Sequence, residues 1–396
     1  MSLIKKNLLI LVSLGLCFLL MMGFLYAKLG YSLLSPSPYN TYTLQALAWR
    51  QGRTYLNEDV PHLELAVYQD RYFVSFPPVP GIPVFLLTYL FGEQVPDGLL
   101  ILTYAFLSLL ILWRLLGRNG FPPSTAAIWA FLICFASSML PLTLNGAVWY
   151  QAQVLGFLLI LAAIERFDAQ RPTLGLIFFA LSVGCRPFNV LYGPLLIIGF
   201  LLKNVKNGKQ SKSSIVKLLP GIISGLLIAG LYGIYNYIRF DNFLEFGHNH
   251  LPEFSFQGGT QFSLGHLGKN IIQYVFALPF EQTADGLSLK AFGFSLFLAN
   301  PILLMMLFWS AVRILRGSIK KYQSLILSFF VLHLMALLLH RTFGGYQYGA
   351  RYAVDLIPYA VLLLMHREKK AIQIAEAGVM LLGLALSIYG SLVIHL

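Results

Sequence analysis

The chain has 396 residues, 57% of them hydrophobic and 11% charged, with a net charge of +12 and a mean hydropathy of +0.71. So few polar side chains cannot cover a water-soluble body of this size, which excludes a soluble globular domain. The positive charge sits in short clusters between apolar runs, so membrane topology and anionic headgroups explain it better than nucleic acid does.

In chain order, Lys5/Lys6 precede an apolar run over 7–34 that is long enough to cross about 30 Å of hydrocarbon, and no small-x-small cleavage pattern follows it. An uncleaved first span is expected there. Further spans are expected near 97–116, 124–144, 148–166, 173–185, 188–202, 218–238, 292–315, 323–340, 352–366 and 371–394. The expected fold is therefore all-α and polytopic, a single integral membrane domain over 1–396 with about eleven transmembrane helices. The basic clusters are Lys5/Lys6, Arg114/Arg118, Arg166/Arg171, Lys203 to Lys217, Arg313 to Lys321 and Arg367/Lys369/Lys370. Threading the spans alternately puts all six on one side, which the positive-inside rule makes cytoplasmic, N-terminus included.

Two stretches are too polar to span and become the outer loops, 35–96 and 239–290. The first opens on SPSPYN, a helix-start signal, with Leu44, Leu47 and Ala48 at helical spacing after it. This reads as an amphipathic helix on the outer membrane surface. ELAVYQDRYFVSF reads as a hairpin turning at Gln69-Asp70, and PPVPGIPVFLLTYLFG as a re-entrant segment too short to cross. Cys17, Cys134 and Cys185 lie far apart in apolar runs and read as buried thiols, with no metal-ligand spacing.

Four groups of residues carry possible chemistry. In the first loop, Glu58, Asp59 and Asp70 fit ordinary turn positions, whereas Glu64 interrupts the apolar pair Leu63 and Leu65. A carboxylate at the outer leaflet can take a proton from a hydroxyl or hold a divalent metal against a phosphate. Arg351 and Asp355, after a glycine-rich stretch, either pair with each other or leave the guanidinium to clamp a phosphate. Arg186, next to Pro187 in a broken pair of short spans, either binds an anionic headgroup or satisfies carbonyls freed by the proline. In the second loop, Arg239, Asp241, Glu245, His248 and His250 suggest a metal or, more simply, an interfacial aromatic belt.

The strings GRTYLNEDVPHLELAVYQDRYFVSFPPVPGIPVFLL, CRPFNVLYGPLL, YNYIRFDNFLEFG and GARYAVDLIPY occur in an order that resembles the GT-C class of membrane glycosyltransferases, in its mannosyltransferase and arabinose-transferase branch. The resemblance implies inverting transfer of a sugar from a polyprenyl-phosphate carrier to an acceptor hydroxyl on the outer face. It also implies a first-loop carboxylate as base and basic residues on the donor phosphate. The class places an acid soon after the first span, where this chain has Asn40, so Glu64 or another loop acid takes that role or the chain is not catalytic. Glu64 is then the base or a metal ligand, Arg351 and Arg186 meet the phosphate, Arg239 assists, and Tyr68 and Tyr348 surround the sugar. The rival reading is a non-catalytic carrier-binding or flippase-like membrane protein.

Overall fold

The computed structural model describes residues 3–206, 209–210, 212–255, 260–284, 286–342, 344–368 and 370–395. Lys369, in the last basic cluster, lies outside the described residues. Among the described residues, six helices are long and apolar enough to cross a bilayer: Lys5–Leu29, Asp97–Arg118, Val148–Asp168, Lys212–Phe240, Lys321–Leu339 and Ile374–His395. Five shorter apolar helices join them, Gly81–Phe91, Pro123–Phe135, Pro172–Val183, Pro187–Lys203 and Pro301–Leu315. The protein is thus a mostly helical, multi-pass membrane protein.

Prolines explain several departures from the expected spans. Pro301 starts a helix at Asn300, so the run over 292–315 divides into Leu296–Ala299 and Pro301–Leu315. Pro187 opens a 3-10 turn, Pro187–Leu191, ahead of Tyr192–Lys203, which breaks the pair of short segments as the sequence suggested. The expected span over 352–366 begins instead as a 3-10 helix, Arg351–Leu356, and turns α-helical only over Ile357–Met365. At three residues per turn, Arg351 and Asp355 no longer share the α-helical face that their spacing implied. Gly81–Phe91 has 11 residues, about 16 Å of rise, too short to cross.

The chain folds as two compact units that alternate along the sequence. One comprises 1–31, 104–144 and 262–396; the other comprises 32–103 and 145–261. The expected second outer loop is therefore divided between them at 261/262.

In the first unit, Tyr31 joins the ends of the first and last helices through hydrogen-bonding contacts with His395, 3.3 Å to Nδ1 and to the carbonyl oxygen. The opposite ends of these two helices carry Lys5/Lys6 and Lys370. Lys370 Nζ lies 4.7 Å from the Phe121 ring centroid, just beyond Arg118, and Arg313 Nη2 donates to the His366 carbonyl at 3.2 Å. The basic clusters of this unit gather at one end, as alternate threading requires. The second unit does the same: Lys203 pairs with Asp168 at 3.2 Å and Thr173 Oγ1 donates to the Lys217 carbonyl at 3.2 Å.

The helix after SPSPYN exists, Thr41–Arg50, but it is no surface helix. Thr41, Tyr42, Thr43, Gln45, Ala46 and Ala48 are all buried. Its partner is Gly81–Phe91, where the absence of a side chain at Gly81 admits Gln45 and Trp49; a Cβ there would stand 2.8 Å from Gln45 Oε1. Close helix packing has overridden the amphipathic pattern.

Candidate active site

The expected hairpin is present. Strands Leu65–Tyr68 and Arg71–Val74 pair in antiparallel register, Leu65 opposite Val74 and Tyr68 opposite Arg71. Gln69 and Asp70 both take positive φ, 50° and 58°, as a two-residue primed turn demands. One face of the hairpin lies on the 239–250 segment of the same unit. Arg239 Nη1 donates to the Val74 carbonyl at 2.8 Å, and Tyr68 Oη and Gln69 Nε2 each donate to Asp241 Oδ2 at 3.1 Å. Phe73 and Tyr68 meet Phe240 at 5.2 and 6.0 Å, and His250 stacks on Phe240 at 5.2 Å. The Asp241 carboxylate, as acceptor, raises the Tyr68 phenol above its ordinary value.

Glu64 enters this hairpin with φ 52° and ψ 59°, left-handed backbone that a non-glycine residue adopts at a cost of about 1–3 kcal/mol. Its side chain is exposed. Oε2 accepts the Trp149 indole N–H at 2.9 Å, and among the described residues Oε1 has no partner. Trp149 packs on Tyr39 at 4.9 Å and Phe76 at 6.4 Å, and Tyr39 meets the His62 ring at 5.9 Å. His62 is itself held by the Pro38 carbonyl at 3.1 Å. An exposed carboxylate therefore stands in strained backbone over a floor of aromatic rings, beside Asn40, which begins the Thr41–Arg50 helix with no side-chain capping bond. Carboxylate and aromatic floor are the parts a hydroxyl-activating sugar site needs.

Beneath this floor lies Asp97, which the sequence reading passed over. It is fully buried; Oδ2 accepts the Ser37 N–H at 3.0 Å and Oδ1 the Gln151 amide at 2.7 Å. Gly146 packs against it, and a Cβ there would sit 2.4 Å from Asp97 Cβ. One carboxylate thus ties the 37–40 segment to the start of the helix that bears Trp149. Its only sequence signal was an acid at the first position of an apolar run.

Arg186 is half-buried, with its Cγ placed 2.9 Å from where a Cβ of Gly156 would be. Gly156 is seven residues along the helix from Trp149, about 10 Å of rise. Arg239 is fully buried, its guanidinium bonded to Val74 and Asn236 and lying 4.2 Å from the Tyr235 ring. Tyr348 is enclosed against Phe294 at 5.1 Å, in a cluster with Leu289, Ala299 and Ile394. A substrate reaches neither without displacing that packing. Arg351 and Asp355 are both buried; the Arg351 N–H donates to Gln347 Oε1 at 3.1 Å and its guanidinium lies 5.3 Å from the Tyr352 ring. Glu64, Tyr68, Arg186 and Arg239 belong to one unit, Arg351 and Tyr348 to the other.

Glu245 accepts the Gly247 N–H at 2.6 Å and the Asn249 amide at 2.7 Å, so it closes its own loop. Among the described residues no three His, Cys, Asp or Glu side chains gather as metal ligands. Beside the hairpin, a groove of about 460 Å³ runs between Trp49, Val79, Ile82, Leu181, Leu231 and Tyr235.

The fold so described is GT-C-like. It is similar to ArnT from Cupriavidus metallidurans in the apo state, at 13% identity and TM-score 0.51, over 96% of this chain and 63% of that one. It is similar also to the oligosaccharyltransferase of Archaeoglobus fulgidus in the apo form, at 16% identity and TM-score 0.50, over 100% of this chain and 56% of that one. The archaeal oligosaccharyltransferase AglB from the same organism, in complex with an inhibitory peptide and a dolichol-phosphate, gives 14% identity and TM-score 0.50 over the same shares. The chain thus spans less than two thirds of the length of each. No protein-family model and no curated protein matches it.

Proposed function

We propose that this protein is a membrane glycosyltransferase that moves a sugar from a polyprenyl-phosphate donor to an acceptor hydroxyl on the outer face of the membrane. The observation that carries this reading is Glu64: exposed, in left-handed backbone, with one oxygen on the Trp149 indole and the other open beside Tyr39 and His62. The GT-C fold supports it, as does the dolichol-phosphate bound by one structural neighbour.

In the proposed reaction the acceptor hydroxyl gives its proton to Glu64 Oε1 as its oxygen bonds to the anomeric carbon. The bond from that carbon to the phosphate oxygen breaks, and its electron pair leaves on the polyprenyl phosphate. A guanidinium stabilises the departing phosphate by fork-shaped charge-assisted hydrogen bonds, and Arg186 and Arg351 are the two candidates for that role. The 460 Å³ groove, almost wholly apolar, suits a stretch of prenyl chain. Arg239 and Tyr68 frame the site rather than touch the sugar. The basic ends of both units face the cytoplasm, as does the N-terminus.

The test is transfer from radiolabelled polyprenyl-phosphate sugars by purified protein in lipid, compared with Glu64→Gln. Loss of turnover with retained carrier binding supports catalysis by Glu64. An unaltered variant removes Glu64 as the base, and carrier binding with no turnover in either protein favours the flippase-like reading, for which Asn40 in place of an acid is the motive. For orientation, an impermeant thiol reagent should label a cysteine introduced at Asn57 and spare one at Lys320 in intact cells.

A further inference from the structure

The basic end of the first unit holds an open cavity of about 820 Å³ that plays no part in the proposed reaction. It lies among the C-terminal turns of Pro301–Leu315 and Ile357–Met365 and the N-terminal turns of Lys321–Leu339 and Ile374–His395. Arg313, Arg316, Lys320 and Arg367 line it, against only two carboxylates, Glu368 and Glu376.

Glu376 is already spent. Its Oε1 accepts Arg367 Nη2 at 2.8 Å and the Trp309 indole N–H at 3.0 Å, and its Oε2 accepts the Gln373 N–H at 3.0 Å. Arg313, Arg316 and Lys320 have no carboxylate partner among the described residues. Crowding of like charge shows at Lys370 nearby, whose ammonium is lowered below its ordinary value first by burial and then by Arg367 and Arg313.

A second, independent observation concerns donors without acceptors. Arg367 is nine-tenths buried and Gln323 almost completely so, yet among the described residues Arg367 Nη1 and Gln323 Nε2 have no hydrogen-bond partner. Both residues line the large cavity and, with Arg313, a small adjoining void of about 10 Å³. This wall offers N–H groups and calls for oxygen acceptors.

The rest of the lining is apolar and runs outward onto Leu304, Phe308 and Val379, side chains exposed on the helix surfaces of a membrane protein. A free anion has no use for such a wall, whereas a phosphate that carries acyl chains does. We propose that this cavity binds the phosphate headgroup of an anionic phospholipid from the leaflet bordering the 316–320, 366–368 and 370–373 segments, with acyl chain along Leu304, Phe308 and Val379.

The experiment is native mass spectrometry of protein released from detergent containing phosphatidylglycerol or phosphatidylcholine. Wild type should retain one phosphatidylglycerol in strong preference to phosphatidylcholine. Arg316→Ala with Lys320→Ala, both exposed and without a carboxylate partner among the described residues, should keep the fold and weaken that retention by roughly 25-fold, about fivefold per cation near a membrane surface. The control is Lys212→Ala with Lys217→Ala, which removes two exposed cations from the other unit and should leave retention unchanged. Equal loss in the control, unchanged retention in the cavity variant, or equal retention of phosphatidylcholine by wild type would each overturn the proposal. Displacement of the lipid by stoichiometric inorganic phosphate would assign the cavity to a soluble anion and likewise overturn it.

Discussion

The hairpin region and the Arg351 region handle ionisable groups in opposite ways. Around the hairpin, the buried charge is Arg239, bonded to the Val74 carbonyl and the Asn236 amide, and the acid Glu64 is left outside with one oxygen free among the described residues. In the Arg351–Leu356 turn both the base and the acid are buried. The difference separates framework from reagent: a guanidinium whose two terminal nitrogens bond the Val74 carbonyl and Asn236 holds backbone in place, while an exposed group on strained backbone is available to a substrate. Arg351 lies between these extremes, which makes it the residue on which substitution is most informative.

The largest effect is expected at the exposed end of the comparison. Glu64→Gln keeps shape and the indole contact but cannot take a proton, so turnover should fall by about a hundred- to ten-thousand-fold with carrier affinity preserved. Steady-state transfer together with carrier binding reads both. Next comes the framework residue: Arg239→Met strands the Val74 carbonyl and the Asn236 side chain, and should cost about 3 kcal/mol of stability. Thermal unfolding in detergent measures this; intact stability with lost transfer would instead make Arg239 part of the binding machinery.

Arg351→Lys keeps the charge and loses the fork, so a phosphate clamp predicts a roughly hundredfold fall in transfer with the fold intact. The double change Arg351→Leu with Asp355→Leu removes both charges, and recovered transfer in that protein would end the clamp hypothesis. The smallest effect belongs to Trp149→Phe, which deletes one hydrogen bond to Glu64 and keeps the ring; about a tenfold loss of transfer is expected. No change at Trp149 would mean the indole does not position the carboxylate.

Much of the architecture was legible because charge and turn chemistry are local. The basic clusters foretold which helix ends meet, and Gln69-Asp70 between β-rich arms foretold the hairpin and its left-handed turn. Glu64 stood out because it broke an apolar pair. What escaped the sequence depends on contacts between distant segments. Asp97 resembles a helix-start acid until Ser37 and Gln151 are brought to it. Arg239 has the same surroundings in sequence as a substrate-binding arginine, and only the Val74 carbonyl, 165 positions earlier, shows where its donors go. The Thr41–Arg50 helix misled because its polar Thr41, Thr43 and Gln45 are buried by a neighbour that close approach at Gly81 made possible.

The contact between Tyr31 and His395 also has a meaning in time. These residues stand 364 positions apart, so at roughly 5–20 residues per second the first helix waits some 20 to 70 s after synthesis before its last partner exists. A helix in that position must be content in lipid alone, and Lys5–Leu29 has only 22% of its most apolar window buried in protein. Val148–Asp168, with 89% buried, could not wait in this way, and its partner Pro172–Val183 is the very next helix made.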